Sequence, residues 1–78
     1  MKQIIEEILL EVCGPQALDP DTDLIGSGLM DSLAVIELAD GMEDAGYVFQ
    51  PARLKREYLR SANSIYIAAC RQNGIAVE

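Results

Sequence analysis

The chain contains no histidine and no tryptophan, with one phenylalanine and three tyrosines among its 78 residues. Without His, the usual general base for a serine or cysteine nucleophile is missing, and so is the commonest metal ligand. Two cysteines, Cys13 and Cys70, form neither a disulfide framework nor a zinc site, since no CxxC pair accompanies them. They read as small buried or half-buried hydrophobes. No apolar run approaches the roughly 20 residues needed to span a bilayer. Glu6, Glu7 and Glu11 interrupt the N-terminal stretch where a signal peptide would be continuously apolar. The expectation is a cytoplasmic protein without membrane insertion.

Positive charge is scarce and confined. Residues 1–50 hold one cation, Lys2, against eleven acids, a net of −10; residues 51–78 hold five cations against Glu57 and Glu78, a net of +3, which gives −7 for the whole chain. Nucleic acid and anionic membranes should repel such a chain, whereas basic protein surfaces should attract it. Acidity that merely keeps a small protein soluble remains an alternative at this point.

Half of the residues are apolar, and with so few aromatics the core must be mostly aliphatic. A chain this short buries roughly 60% of the surface it exposes when unfolded, too little for a deep catalytic cleft. One domain over residues 1–78 is expected, all-α, as a small four-helix bundle of three main helices and a short third one. Ile4, Ile5, Ile8, Leu9 and Val12 recur on one helical face with Glu6, Glu7 and Glu11 on the other, so the first helix runs from about Lys2 to Cys13 and stops at Gly14-Pro15. A long loop follows to Asp31, with Gly26 and Gly28 expected to supply positive-φ turns. The next helix opens at Asp31-Ser32 and ends near Gly46; Leu33, Ile36, Ala39 and Met42 repeat at three-residue steps on its apolar side, widened by Val35 and Leu38. A short helical turn is expected through "PARLKREY", pairing Leu54 with Tyr58. Ser61 then caps a last helix with Ile65, Tyr66, Ala68 and Ala69 inward and Asn73-Gly74 at its end.

Asp19, Asp21 and Asp23 fall at the first, third and fifth places of an EF-hand loop, but Leu24 stands where the loop needs Gly and Met30 where it needs a bidentate Glu. These aspartates therefore read as turn-forming and capping residues, and no metal site is expected. "GSG" is not the GxSxG nucleophile elbow, and no catalytic constellation emerges. What remains is Ser32, placed after "GLMD" at the head of a helix. The free amides and positive dipole end of a helix would stabilise a phosphate ester at that position, although a serine there is most often only a cap.

"GLMDSLAVIEL" resembles the modification motif of acyl and peptidyl carrier proteins, and the order of helix, long loop, helix, short helix and capped helix is similar over essentially the whole chain. The resemblance implies that Ser32 carries a covalent 4'-phosphopantetheine arm, attached by a separate phosphopantetheinyl transferase. The arm's thiol would hold its cargo as a thioester, loaded by an adenylating ligase and passed to a downstream acyl- or aminoacyl-transferase. It further implies that Asp31 helps present the serine in the magnesium-assisted transfer, its plainer role being the helix cap, and that Met30, Leu33, Ile36, Glu37 and Asp40 meet partner enzymes. From the residues alone, Leu33 and Ile36 fit the core equally well.

The short chain, "LMDSLAVIEL", the proline opening the third helix and "KREYLRSANSI" are similar to the D-alanyl carrier proteins of teichoic acid modification. Gly46-Tyr47, where that group has an aromatic closing its second helix, departs from it. The basic cluster Arg53, Lys55, Arg56 and Arg60 is stronger than a fatty acid carrier suggests. The expected function is thus a free, monomeric carrier with aminoacyl cargo slightly favoured. Fatty acyl or polyketide cargo, and an unmodified helical interaction domain, are the alternatives.

Overall fold

A computed structural model describes residues 1–77. Helix α1 (Lys2–Cys13), α2 (Ser32–Asp44) and α3 (Ala62–Gln72) form the bundle, joined by short 3-10 turns at Pro15–Leu18, Pro51–Arg53 and Arg56–Leu59. The all-α expectation holds: among the described residues there is no strand, and no helix is long and apolar enough to cross a membrane.

In α1, Ile5 and Leu9 are fully buried, with Ile4, Ile8 and Val12 packed at the core margin. The helix stops where expected, because Gly14 takes φ 90° and ψ 177°, a region open essentially to glycine alone, while its amide still donates to the Leu10 carbonyl. Helix α3 follows its predicted pattern too. Ser61 Oγ accepts from the Ser64 amide and Ser64 Oγ from the Ser61 amide, a reciprocal cap, and Ile65, Tyr66, Ala68 and Ala69 are all buried. Cys70 lies in the core, while Cys13 is half-buried.

Three expectations are corrected. First, the buried stripe of α2 is Ala34, Leu38 and Met42, whereas Leu33 and Ile36 are 63% and 57% exposed. A four-residue step keeps nearly in line along a helix, whereas a three-residue step drifts the other way around it, so Leu33 and Ile36 rotate out as Met42 rotates in. The contact with α1 fixes this choice: a Cβ on Gly41 would stand only 2.9 Å from Ile8 Cδ1, so α2 turns its glycine to that neighbour. Second, "PARLKREY" is not one helical turn. It splits into two 3-10 turns at Leu54 (ψ 146°) and Lys55 (ψ 143°), so Leu54 and Tyr58 are not stacked one turn apart. Third, only Gly28 of the two loop glycines has positive φ (80°). Gly26 is needed for space instead: its amide donates to Asp23 Oδ1, and a Cβ there would lie 2.9 Å from Asp23 Oδ2.

The segment between α2 and α3 is held by side-chain amides standing in for a strand partner. Asn73 Oδ1 accepts from the Val48 amide while Asn73 Nδ2 donates to the Val48 carbonyl. Gln72 makes the same two-way clasp on Gln50. Between them Phe49, the single phenylalanine, is driven into the core at 3% exposure.

Candidate attachment site

The long loop is ordered by its own aspartates. Asp19 Oδ1 accepts from the Asp21 amide, and Asp23 Oδ1 accepts from the Ile25 and Gly26 amides. The Gly26 and Ile25 amides hold the Asp23 carboxyl below its usual range against some opposing desolvation, with Arg60 adding a favourable charge. Among the described residues no group of three potential ligands gathers to hold a metal ion. Leu24, fully buried, anchors the loop: its amide donates to the Arg60 carbonyl at 2.7 Å, and its carbonyl accepts from the Met30 amide at 2.9 Å.

That second bond decides where the head of α2 sits. It draws Met30, expected on the partner-facing surface, into the core at 6% exposure, so its side chain supports the site from beneath. Asp31 follows with extended backbone as N-cap, its Oδ1 accepting from the Ala34 amide at 2.8 Å and its carbonyl from the Val35 amide. Ser32 is the first residue of the helix, and it is exposed.

The chain has four serines, and their hydroxyls are differently committed. Ser61 and Ser64 bond each other within the cap of α3, and Ser64 Oγ also donates to the Tyr58 carbonyl at 2.7 Å. Ser27 Oγ donates to the Leu24 carbonyl and accepts from the Leu29 amide. Ser32 Oγ makes no hydrogen bond among the described residues. It is therefore the one serine hydroxyl that can react without dismantling a turn or a cap.

A hollow of about 250 Å³ opens beside Ser32, lined by Ile25, Met30, Asp31, Val35, Arg56 and Leu59. Arg56 arrives from the 3-10 turn before α3. On the outer side of α2, Leu33, Ile36, Glu37 and Asp40 are exposed together. Behind it, the Cys13 thiol donates to the Leu29 carbonyl at 3.4 Å. Burial pushes this thiol up, reinforced by the charges of Asp31 and Glu37, so it is a poor nucleophile near neutral pH.

A family model described as "phosphopantetheine attachment site" matches residues 3–63. The chain belongs to this family. Carrier domains of this kind tether substrates, and the cofactor is 4'-phosphopantetheine bound covalently to a serine. Such carriers are served by a phosphopantetheinyl transferase and by partner enzymes. Comparison with the curated proteins and with the solved structures found no match.

The residues present fit the cofactor: the matched region holds an exposed, uncommitted serine at the head of a 13-residue helix. Asp31 and Ser32 stand at the head of α2 as the sequence pattern predicts. That pattern does not reveal Ile25, Val35, Leu59 and Arg56 as neighbours of that serine. The basic cluster was visible, but which of its cations approaches Ser32 depends on the loop being pinned at the Leu24–Arg60 bond.

Proposed function

We propose that Ser32 is the attachment serine of this carrier and that the arm holds an activated aminoacyl group as a thioester. The observation that carries the assignment is the uncommitted, exposed hydroxyl of Ser32, in contrast with the three bonded serines. During loading, the Ser32 oxygen bonds to the phosphorus next to the pantetheine of coenzyme A. The pyrophosphate P–O bond breaks, and the nucleotide leaves as the serine proton passes to a base. The transferase is expected to supply that base. Helix α2 contributes a fixed address, with the positive end of its dipole favouring the phosphodiester. The arm contributes reach and a raised effective concentration of cargo at each partner's active site.

Leu33, Ile36, Glu37 and Asp40 form the surface we assign to partner enzymes: two exposed aliphatic anchors flanked by carboxylates, suited to an apolar recess with a basic rim. We read the cargo as aminoacyl from the form of the site. The adjoining hollow is small and has Asp31 and Arg56 in its lining, while Leu38, Met42 and Ile65 lie in the bundle interior at 0% exposure.

The test is intact-mass analysis after incubation with coenzyme A and a phosphopantetheinyl transferase. One arm is gained by the native chain and none by Ser32→Ala; an arm still gained by that variant refutes the assignment of Ser32. Loading of the modified form is then assayed with D-alanine, other amino acids and fatty acids. Loading by fatty acyl ligases with failure of every amino acid would overturn the cargo reading.

A further inference from the structure

We infer that Arg56 binds the phosphodiester of the arm and holds its first segment against the hollow beside Ser32. This rests on Ser32 as the attachment point. Arg56 and Ser32 line the same hollow although 24 positions separate them in sequence. In a chain with thirteen acids, the Arg56 side chain makes no hydrogen bond, ion pair or ring contact among the described residues, including with Asp31 in the lining of the same hollow. Its neighbour in charge, Arg71, is by contrast engaged with the Tyr58 hydroxyl at 2.9 Å. An unpaired guanidinium presents a planar fork of donors matched to two phosphate oxygens. Attachment at Ser32 brings one negative phosphate to the edge of that hollow.

The rest of the hollow is apolar. Ile25, Val35 and Leu59 offer aliphatic surface to the segment of the arm after the phosphate, which includes a carbon bearing two methyl groups. A guanidinium and aliphatic side chains lining one hollow thus match the phosphate and the dimethyl carbon that lie close together along the arm. Arg56 is a positioning residue: it shortens the volume the arm explores from Ser32 and directs it away from the partner-facing Leu33 and Ile36 until an enzyme competes for it.

The experiment compares apo and holo forms of the native chain, Arg56→Gln, Arg56→Lys and Lys55→Gln by methyl NMR, with intact mass establishing that each holo sample carries its arm. Attachment is expected to shift the methyl resonances of Ile25, Val35 and Leu59. In Arg56→Gln the docked population, read from those shifts, falls about two- to fivefold, as it does for the native chain in concentrated salt. Arg56→Lys recovers part of the effect. Lys55→Gln removes the same charge from a residue outside the hollow and leaves the shifts unchanged. Shifts of native size in a fully modified Arg56→Gln, or equal losses in Lys55→Gln, overturn the inference while leaving the attachment reading intact. Failure of the native chain to gain an arm overturns both.

Discussion

Replacing Asp31 separates its service to the fold from its service to the chemistry. Its Oδ1 accepts the Ala34 amide at 2.8 Å, the side-chain cap at the N-terminus of α2. Deleting an N-cap acceptor costs about 1 kcal/mol. For a domain of this size 1 kcal/mol lowers the midpoint by about 4–8 °C, so Asp31→Ala should melt that much earlier by circular dichroism. Asn caps as well as Asp does. The charge itself contributes a few tenths of a kcal/mol through the helix dipole, and its removal also relieves repulsion within the −10 segment of residues 1–50. Asp31→Asn should therefore stay within about 0.5 kcal/mol of native. Both variants remain folded at 25 °C given a typical stability of about 5 kcal/mol or more, so a slower gain of the arm cannot come from unfolding. If the carboxylate serves the transferase reaction, Asp31→Asn loses at least tenfold in modification rate while keeping its midpoint. A midpoint in Asp31→Asn as low as in Asp31→Ala refutes the capping account, and native-rate modification of Asp31→Asn refutes the chemical one.

Gly41→Ala gains about 1 kcal/mol in helix propensity but places a Cβ 2.9 Å from Ile8 Cδ1 and 3.1 Å from Cγ1, an overpacking worth about 1–3 kcal/mol. It should destabilise, and adding Ile8→Val, which removes Cδ1, should make the pair at least about 0.5 kcal/mol more stable than additivity gives; strict additivity in urea titrations refutes the contact. Leu33→Ala and Ile36→Ala, at 63% and 57% exposure, should change stability by less than about 0.5 kcal/mol. Each should lower kcat/KM of loading by about five- to thirtyfold if it anchors a partner; unchanged loading would remove these residues from the interface. The Asp23 carboxyl is held low in the fold, so its contribution is complete above the unfolded value near 3.9 and is lost as pH falls through the lower folded value. Thermal melts between about pH 5 and pH 2 should show a shallower acid-side loss in Asp23→Asn than in the native chain, and superimposable profiles would refute this.

The parts of the molecule legible in sequence are those where a local pattern has one solution. The stripe from Ile4 to Val12 admits one buried face, Gly14-Pro15 cannot continue a helix, and Ser61 followed by Ile65, Ala68 and Ala69 specifies both cap and inward side. Asp31-Ser32 is equally local, since an N-cap and the residue after it need only the backbone of their own turn. The rest required the third dimension. Helix α2 is apolar over a wide arc, and packing against the other elements, including the approach of Ile8 to Gly41, puts Ala34, Leu38 and Met42 in the core and leaves Leu33 and Ile36 outside. Met30 turns inward because its amide reaches Leu24, six positions back, and Leu24 is itself fixed by Arg60. The same bond brings the turn holding Arg56 to the hollow beside Ser32. Sequence by itself determined which serine opens a helix and that no histidine is present to activate it. Tertiary structure decided what surrounds that serine, because burial and charge at a site are sums over neighbours that chain order does not bring together.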